Sequence, residues 1–158
     1  MSRHFGFTLL ELMLSLCLMA ILSFFSYSSL LTLYRKNQLE VLINEVKASI
    51  VFAKNQSILR NQNLVLSPLP GSIDWSDGML LFVDNKEHRY HSGIKIIHEW
   101  HWNRNNIHLQ WHGFRSNTYL IFSSDLRKSI CNGHFEITSP FHAPMKLSVN
   151  RLGRVQLY

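Results

Sequence analysis

The sequence has few cysteines and few residues that interrupt helices. Its 158 residues include two cysteines, four prolines and seven glycines. Cys17 lies in an apolar N-terminal segment and Cys131 in the polar remainder, so we expect neither an intrachain disulfide nor a cysteine-based metal site. Cys131 is expected to be a small buried apolar side chain. Neither proline nor glycine occurs between residues 7 and 62, so nothing there breaks a helix.

Charge is almost absent from the N-terminal segment. Between Phe7 and Leu33 the only charged residue is Glu11. As a helix this segment would be about 40 Å long, enough to cross a bilayer. The sequence therefore predicts a transmembrane helix at 7–33, followed by one soluble domain.

Two common kinds of apolar segment do not account for Glu11. A secretory signal has a shorter apolar stretch and a small-residue cleavage site after it, and this sequence has neither. A plain anchor explains the length, but an unpaired carboxylate in hydrocarbon costs several kcal/mol. A cut between Gly6 and Phe7 would resolve the problem. The new amine of Phe7 in one subunit could then pair with Glu11, the fifth residue of the mature chain, in its neighbour.

The residues from Gly6 to Glu11, Gly-Phe-Thr-Leu-Leu-Glu, resemble the prepilin peptidase motif of type IV pilins and type II secretion pseudopilins. The resemblance implies that a membrane aspartyl peptidase removes the leader 1–6 and N-methylates Phe7. It also implies that Glu11 acts in filament assembly. Arg3 and His4 favour a cytoplasmic leader, which predicts a single-pass protein of the bacterial inner membrane with a periplasmic head.

The helix is expected to continue beyond the apolar segment. Residues 34–62 carry an apolar stripe at helical spacing, formed by Leu39, Leu42, Ile43, Val46, Ile50 and Ala53. One helix of about 55 residues is the simplest interpretation. A separate surface helix after a hinge near Tyr34 is the alternative.

Residues 63–158 are expected to form a β-rich periplasmic head, because the apolar pattern changes to a period of two. Strands are predicted at 64–66, 79–83, 87–91, 94–102, 107–112, 117–123, 134–138, 145–150 and 153–157. The fold class is therefore α+β, with a long N-terminal transmembrane and amphipathic helix packed on an antiparallel, pilin-like β head.

Two further segments extend the resemblance to the GspH/FimT family of minor pilins and pseudopilins. They are Trp75-Ser76-Asp77-Gly78 with the following Leu-Phe-Val-Asp run, and the C-terminal segment 150–155, Asn-Arg-Leu-Gly-Arg-Val. The family implies a low-abundance subunit at or near the filament tip, with other pilin or pseudopilin subunits and prepilin peptidase as partners.

Positive charge is concentrated in the C-terminal half. Residues 35–85 carry five basic and five acidic residues, whereas 86–158 carry ten basic and four acidic. This asymmetry suits an anionic partner such as nucleic acid or a membrane surface; a solvated basic face is the alternative. Arg151 and Arg154, supported by Lys146, are the candidate DNA contacts. Some FimT-type members bind DNA through Gly-Arg-x-Arg, but here Gln156 stands where that motif has its second arginine.

The stretch 98–115 mixes aromatic and basic residues: Trp100, Trp102, Trp111 and Phe114 among His98, His101, Arg104 and Arg115. Such a pattern can stack single-stranded nucleic acid, but we favour tryptophans that fill the core. His108 and His112 would lie about 13 Å apart on one strand face, too far for one metal ion. With no nucleophile elbow and no phosphate loop, we expect neither enzyme activity nor a cofactor.

Three functions fit these patterns. The first is a minor pilin of a type IV pilus that aids DNA uptake. The second is a minor pseudopilin of a type II secretion system. The third is a membrane-anchored periplasmic binding module that never assembles.

Overall fold

The computed structural model describes residues 8–72, 74–102, 106–125 and 127–158, with only the backbone at 24–29. The predicted leader and the cleavage site between Gly6 and Phe7 lie outside these residues. The chain divides into two units, Met1–Gln38 and Leu39–Tyr158.

One helix, α1, runs from Leu9 to Arg60. This confirms the single long helix expected from the lack of proline and glycine. Tyr34 lies within α1, so the alternative of two helices with a hinge there is wrong. The helix ends where Asn61 adopts a left-handed conformation (φ 49°), a common way to terminate a helix.

In the first unit, α1 exposes a set of large apolar side chains. More than half of the surface is exposed at Leu9, Leu10, Leu12, Met13, Leu14, Leu16, Leu18, Met19, Ile21, Leu22, Leu30 and Leu33. Within the part of the chain that the structure describes, no helix combines the length and apolarity needed to cross a membrane.

In the second unit, the apolar stripe of α1 packs into a core. All six predicted stripe residues, from Leu39 to Ala53, are buried. Ser49 and Ser57 are buried beside them, and each hydroxyl donates to a backbone carbonyl three residues earlier. The buried hydroxyls therefore have partners and do not weaken the packing.

In the part of the chain that the structure describes, eight strands form two antiparallel sheets. The strands are β1 (Leu64–Pro68), β2 (Gly78–Val83), β3 (Ile96–His101), β4 (His108–Gly113), β5 (Leu120–Phe122), β6 (Gly133–Ser139), β7 (His142–Val149) and β8 (Val155–Leu157). One sheet has the order β3-β2-β1-β5 and the other β4-β6-β7-β8. The α+β fold class with an antiparallel head is confirmed.

Aromatic residues connect the strands at the centre of the core. The ring of Phe135 lies 5.3 Å from that of Trp75 and 4.7 Å from that of Trp111. A second, smaller cluster of Val65, Leu80, Phe82 and Ile121 covers the other face of β1 and β2. These strands are therefore apolar on both faces and lack the alternation of a half-exposed strand.

One predicted strand, 87–91, is wrong. The side chain of Asn85 accepts hydrogen bonds from the backbone N–H groups of Glu87 (3.0 Å) and Arg89 (3.3 Å), and His88 has a positive φ of 53°. An asparagine side chain that bonds to the following backbone offers an alternative to strand pairing. The segment is therefore a turn.

Candidate functional site

The start of α1 is closed by a reciprocal pair of residues, Thr8 and Glu11. The hydroxyl of Thr8 accepts a hydrogen bond from the N–H of Glu11 (3.3 Å). One oxygen of Glu11, Oε2, accepts bonds from the N–H (2.9 Å) and hydroxyl (3.1 Å) of Thr8. This is a capping box, which satisfies donors that a helix start leaves unpaired. The Thr-x-x-Glu spacing is a known signal for it, which the sequence interpretation did not use.

The capping box places the Glu11 carboxylate beside the first turn of α1. The carboxylate is exposed within the single chain, among the exposed apolar side chains of that helix. A hydrogen-bonded acid at a helix start is compatible with a further cationic partner, since only Oε2 is used by Thr8.

At the other end of the chain, a tight turn joins β7 to β8. The side chain of Asn150 accepts hydrogen bonds from the N–H groups of Leu152 (3.0 Å) and Arg154 (2.9 Å). Its carbonyl accepts a bond from Gly153 (2.9 Å), whose φ of +73° favours glycine. Residues 150–154, called the basic turn below, are therefore held in one conformation by Asn150.

Two residues that are distant in sequence, Cys131 and Lys54, lie against the basic turn. The Cys131 thiol donates to the carbonyls of Asn150 (3.4 Å) and Arg151 (3.5 Å). A Cβ added at Gly153 would lie 3.4 Å from Lys54 Cγ, so the turn rests on the Lys54 stem. Burial raises the pKa of the Cys131 thiol, and it remains a neutral donor. The expectation of a buried Cys131 is confirmed.

The structure separates the three predicted DNA contacts. Arg151 and Arg154 both lie on the basic turn and are exposed. Lys146 lies on β7, opposite Glu136 of β6, and three strand residues and Asn150 separate it from Arg151. Because Lys146 faces an acidic residue across the strand pair, we expect the two arginines to be the stronger anion-binding pair.

One arginine that was not predicted to belong to this region, Arg115, shares a cleft with Arg151. Arg115, in the loop after β4, lines a cleft of about 30 Å³ together with Arg151. Phe114 lines the same cleft and is 89% exposed. Arg115 and Arg151 are far apart in sequence, and only the pairing of β4 with β6 and of β6 with β7 brings them together.

Two tryptophans of the 98–115 stretch, Trp102 and Trp111, fill the core as favoured from the sequence, whereas Trp100 is only partly buried. Trp102 is buried and its Nε1 donates to the carbonyl of Trp75 (2.9 Å). Trp111 is buried and donates to the carbonyl of Ser116 (2.8 Å). Trp100 packs edge-on against Phe52 of α1. Phe114, in contrast to these tryptophans, is exposed. Arg104 lies outside the described residues.

A histidine pair lies on the outer face of the second sheet. The rings of His112 and His134 stack at 5.2 Å, and Glu136 Oε2 is 3.3 Å from Nε2 of His112. Partial desolvation, followed by the charges of Lys146 and His112, lowers the pKa of His134. Among the described residues, no group of three or more His, Cys, Asp or Glu side chains could hold a metal ion.

An open groove of about 510 Å³ lies near the C-terminal end of α1. Its lining includes Arg60, Lys95 and Asp84. The Asp84 carboxylate is already bonded to Nδ1 of His88 at 2.7 Å. The groove is open, and its described lining lacks the convergent groups of a catalytic site.

A capped helix with exposed apolar side chains, whose later turns pack on antiparallel sheets, defines a pilin-like protein. Residues 42–153 match the family described as "Type II transport protein GspH". Residues 1–27 match the prokaryotic N-terminal methylation motif. The chain belongs to the GspH family of type IV pilin-like proteins.

Solved structures support the fold. The type IV minor pilin FimU of Pseudomonas aeruginosa (strain PAO1), in space group P21, is similar with a TM-score of 0.61 and 15% identity over 78% of this chain and 90% of that chain. FimU in space group P65 gives a TM-score of 0.56 and 14% identity over 75% of this chain and 91% of that chain. No curated protein sequence matches the chain.

Proposed function

We propose that this protein is a minor subunit of a type IV pilus. Prepilin peptidase cuts it between Gly6 and Phe7 and methylates the new amine of Phe7. The apolar segment 7–33 holds it in the bacterial inner membrane with the head in the periplasm. It then enters the filament at or near the tip through Glu11, beside other pilin subunits.

One observation carries this proposal: the Glu11 carboxylate within a helix of exposed apolar side chains, inside a matched methylation motif. Those side chains need a cover of lipid or of neighbouring helices. In an apolar cover, a carboxylate is stable only when it is paired. A methylated amine on Phe7 of an adjacent subunit supplies the cation. This is a structural role, in keeping with the family, and requires no enzyme activity or cofactor.

The first prediction concerns Glu11. Glu11→Ala should be processed normally but should be lost from sheared filaments, because the neighbour's amine would be left unpaired. Immunoblots of filament and membrane fractions measure this, with mass spectrometry of the mature N-terminus to establish a methylated Phe7.

Ser15→Ala is the control in the same helix, because the Ser15 hydroxyl donates to the carbonyl of Leu12 one turn earlier (2.8 Å). It should enter filaments like the wild type. Normal incorporation of Glu11→Ala would contradict the assembly role of Glu11. Normal processing and function of Glu11→Ala, with neither it nor the wild type in the filament fraction, would instead favour a membrane-anchored binding module that does not assemble. An intact Met1 would contradict the proposal at its first step.

A type II secretion pseudopilin is the second candidate, favoured by the description of the matched family. The two candidates share the leader, the helix and the head. A deletion strain separates them: loss of surface pili supports the first, and loss of secreted proteins with normal pili supports the second. Companion genes of pilus or secretion operons give an independent answer.

The second prediction concerns DNA uptake, for which Arg151, Arg154 and Lys146 are the proposed contacts. Arg151→Gln with Arg154→Gln should weaken duplex DNA binding and reduce the salt slope by about 2, because about one phosphate contact is lost per arginine. Lys146→Gln should have a smaller effect, since Glu136 lies opposite it. Titrations of the full chain in detergent at several salt concentrations measure both values.

Lys86→Gln with Lys95→Gln is the charge-matched control, because both residues lie outside the basic turn, on the β2–β3 side of the head. It should retain the wild-type slope. Equal losses in the two double variants would show a general charge effect and no DNA site at the basic turn.

A further inference from the structure

Phe114 is the most exposed aromatic ring among the described residues, although its neighbours in sequence are firmly held. It is 89% exposed. Its backbone N–H donates to the carbonyl of Asn132 (2.9 Å), and the adjacent Gly113 donates to the side chain of Asn117 (3.1 Å). Trp111 closes the loop through its bond to the carbonyl of Ser116 (2.8 Å). The ring is therefore presented to solvent on an ordered loop.

Two arginines, Arg115 and Arg151, line the same cleft as this ring. The other described residues of the lining are Ser129, Ile130 and Asn132, and none of them is a carboxylate. An aromatic face flanked by guanidinium groups can stack a base while the cations contact its phosphates.

We propose that Phe114, Arg115 and Arg151 form a binding site for single-stranded DNA. This inference rests on the DNA binding proposed above and adds a substrate class and two residues to it. Phe114 stacks on an unpaired base, and Arg115 and Arg151 contact the flanking phosphates. In duplex DNA the bases are paired and stacked on each other, so Phe114 has no role there.

The experiment compares three fluorescent probes with the full chain in detergent: an oligothymidylate of about 12 nucleotides, the same strand without bases, and a duplex of equal length. Phe114→Ala should bind oligothymidylate about 5- to 100-fold more weakly, the usual loss for one stacked base. Its affinities for the abasic strand and for the duplex should not change. Arg115→Gln should weaken binding of both single strands.

Phe114→Trp should retain oligothymidylate binding and add fluorescence quenching that the abasic strand does not cause. Phe141→Ala is the matched control, because Phe141 is also exposed but lies in the β6–β7 turn, and this variant should bind every probe like the wild type.

Equal oligothymidylate affinity for wild type and Phe114→Ala would overturn the single-strand site. If the wild type then still bound duplex DNA through Arg151 and Arg154, the proposed function would stand without it. Absence of binding to every probe would overturn both the single-strand site and the DNA contacts proposed at the basic turn, and would leave the proposed pilus subunit, which rests on Glu11, in place.

Discussion

The two units of this protein treat their apolar residues in opposite ways. In the described part of the first unit, residues 8–38, large apolar side chains of α1 are mostly exposed. From Leu39 onward the same helix buries its apolar stripe against two sheets. The second unit therefore contains its own core, whereas the described part of the first unit leaves its apolar side chains uncovered.

Charge follows the same division. Between Phe7 and Leu33 the only charged residue is Glu11, whereas residues 86–158 carry ten basic residues. Within 7–33 we propose this single charge as a pairing device, because no other charged residue of that segment competes with it. In the head, the effect of a charged residue depends on its neighbours. Lys146 lies opposite Glu136, whereas Arg115 shares a cleft with Arg151.

The largest expected effect is on the stability of the head, and it should differ between two matched substitutions, one in each unit. Leu42→Ala should destabilise the head by about 2–5 kcal/mol, because it leaves a cavity where the side chain is 1% exposed. Leu14→Ala, in the same helix but 61% exposed, should leave the stability of the head unchanged. Denaturant unfolding of the full chain in detergent, followed by tryptophan fluorescence, measures both. Equal losses would contradict the independence of the two units.

An intermediate effect is expected at Cys131, whose raised pKa keeps the thiol protonated in the folded head. An unfolded chain loses this proton at lower pH. The free energy of unfolding should therefore have its full value below the ordinary thiol pKa and should decrease as pH rises above about 9. Cys131→Ala should lack this alkaline loss. Iodoacetamide should also alkylate native Cys131 far more slowly than the denatured chain, and equal rates would show that the thiol is not buried.

The smallest expected effect concerns His134, whose lowered pKa means that the folded head takes up its proton less readily than the unfolded chain. The free energy of unfolding should have its full value above the ordinary histidine pKa of 6.5 and should decrease slightly as pH drops below it. Lys146 and His112 act against the proton, and Glu136 favours it. His134→Gln should flatten the stability profile between about pH 7 and 5. A profile unchanged by that substitution would contradict this assignment.

Much of the fold could be predicted because it follows from local patterns. The absence of helix breakers predicted α1, and the helical spacing from Leu39 to Ala53 predicted the face that it buries. Most strands were found from their apolar runs. The predicted strand at 87–91 was wrong because the Asn85 side chain competes for the backbone, a contact that periodicity does not reveal.

The candidate sites were predictable to different degrees. Glu11 stands out in the sequence because its surroundings are apolar, yet its bonds to Thr8 required the capping signal to be considered. Arg151 and Arg154 could be predicted together because both lie in the basic C-terminal segment, and the structure places them on one turn. Arg115 and the exposed Phe114 could not be assigned to that region, because the link depends on the register of β4, β6 and β7.

The sequence by itself determined the class of this protein, through the Gly6–Glu11 motif, the uninterrupted apolar helix and the β-rich remainder. These features are local, and each follows from residue type and spacing alone. The tertiary structure decided which cations share a surface: it joined Arg115 to Arg151 and placed Lys146 opposite Glu136. The physical reason is that charges interact through space, and strand pairing sets the distances between residues remote in the chain.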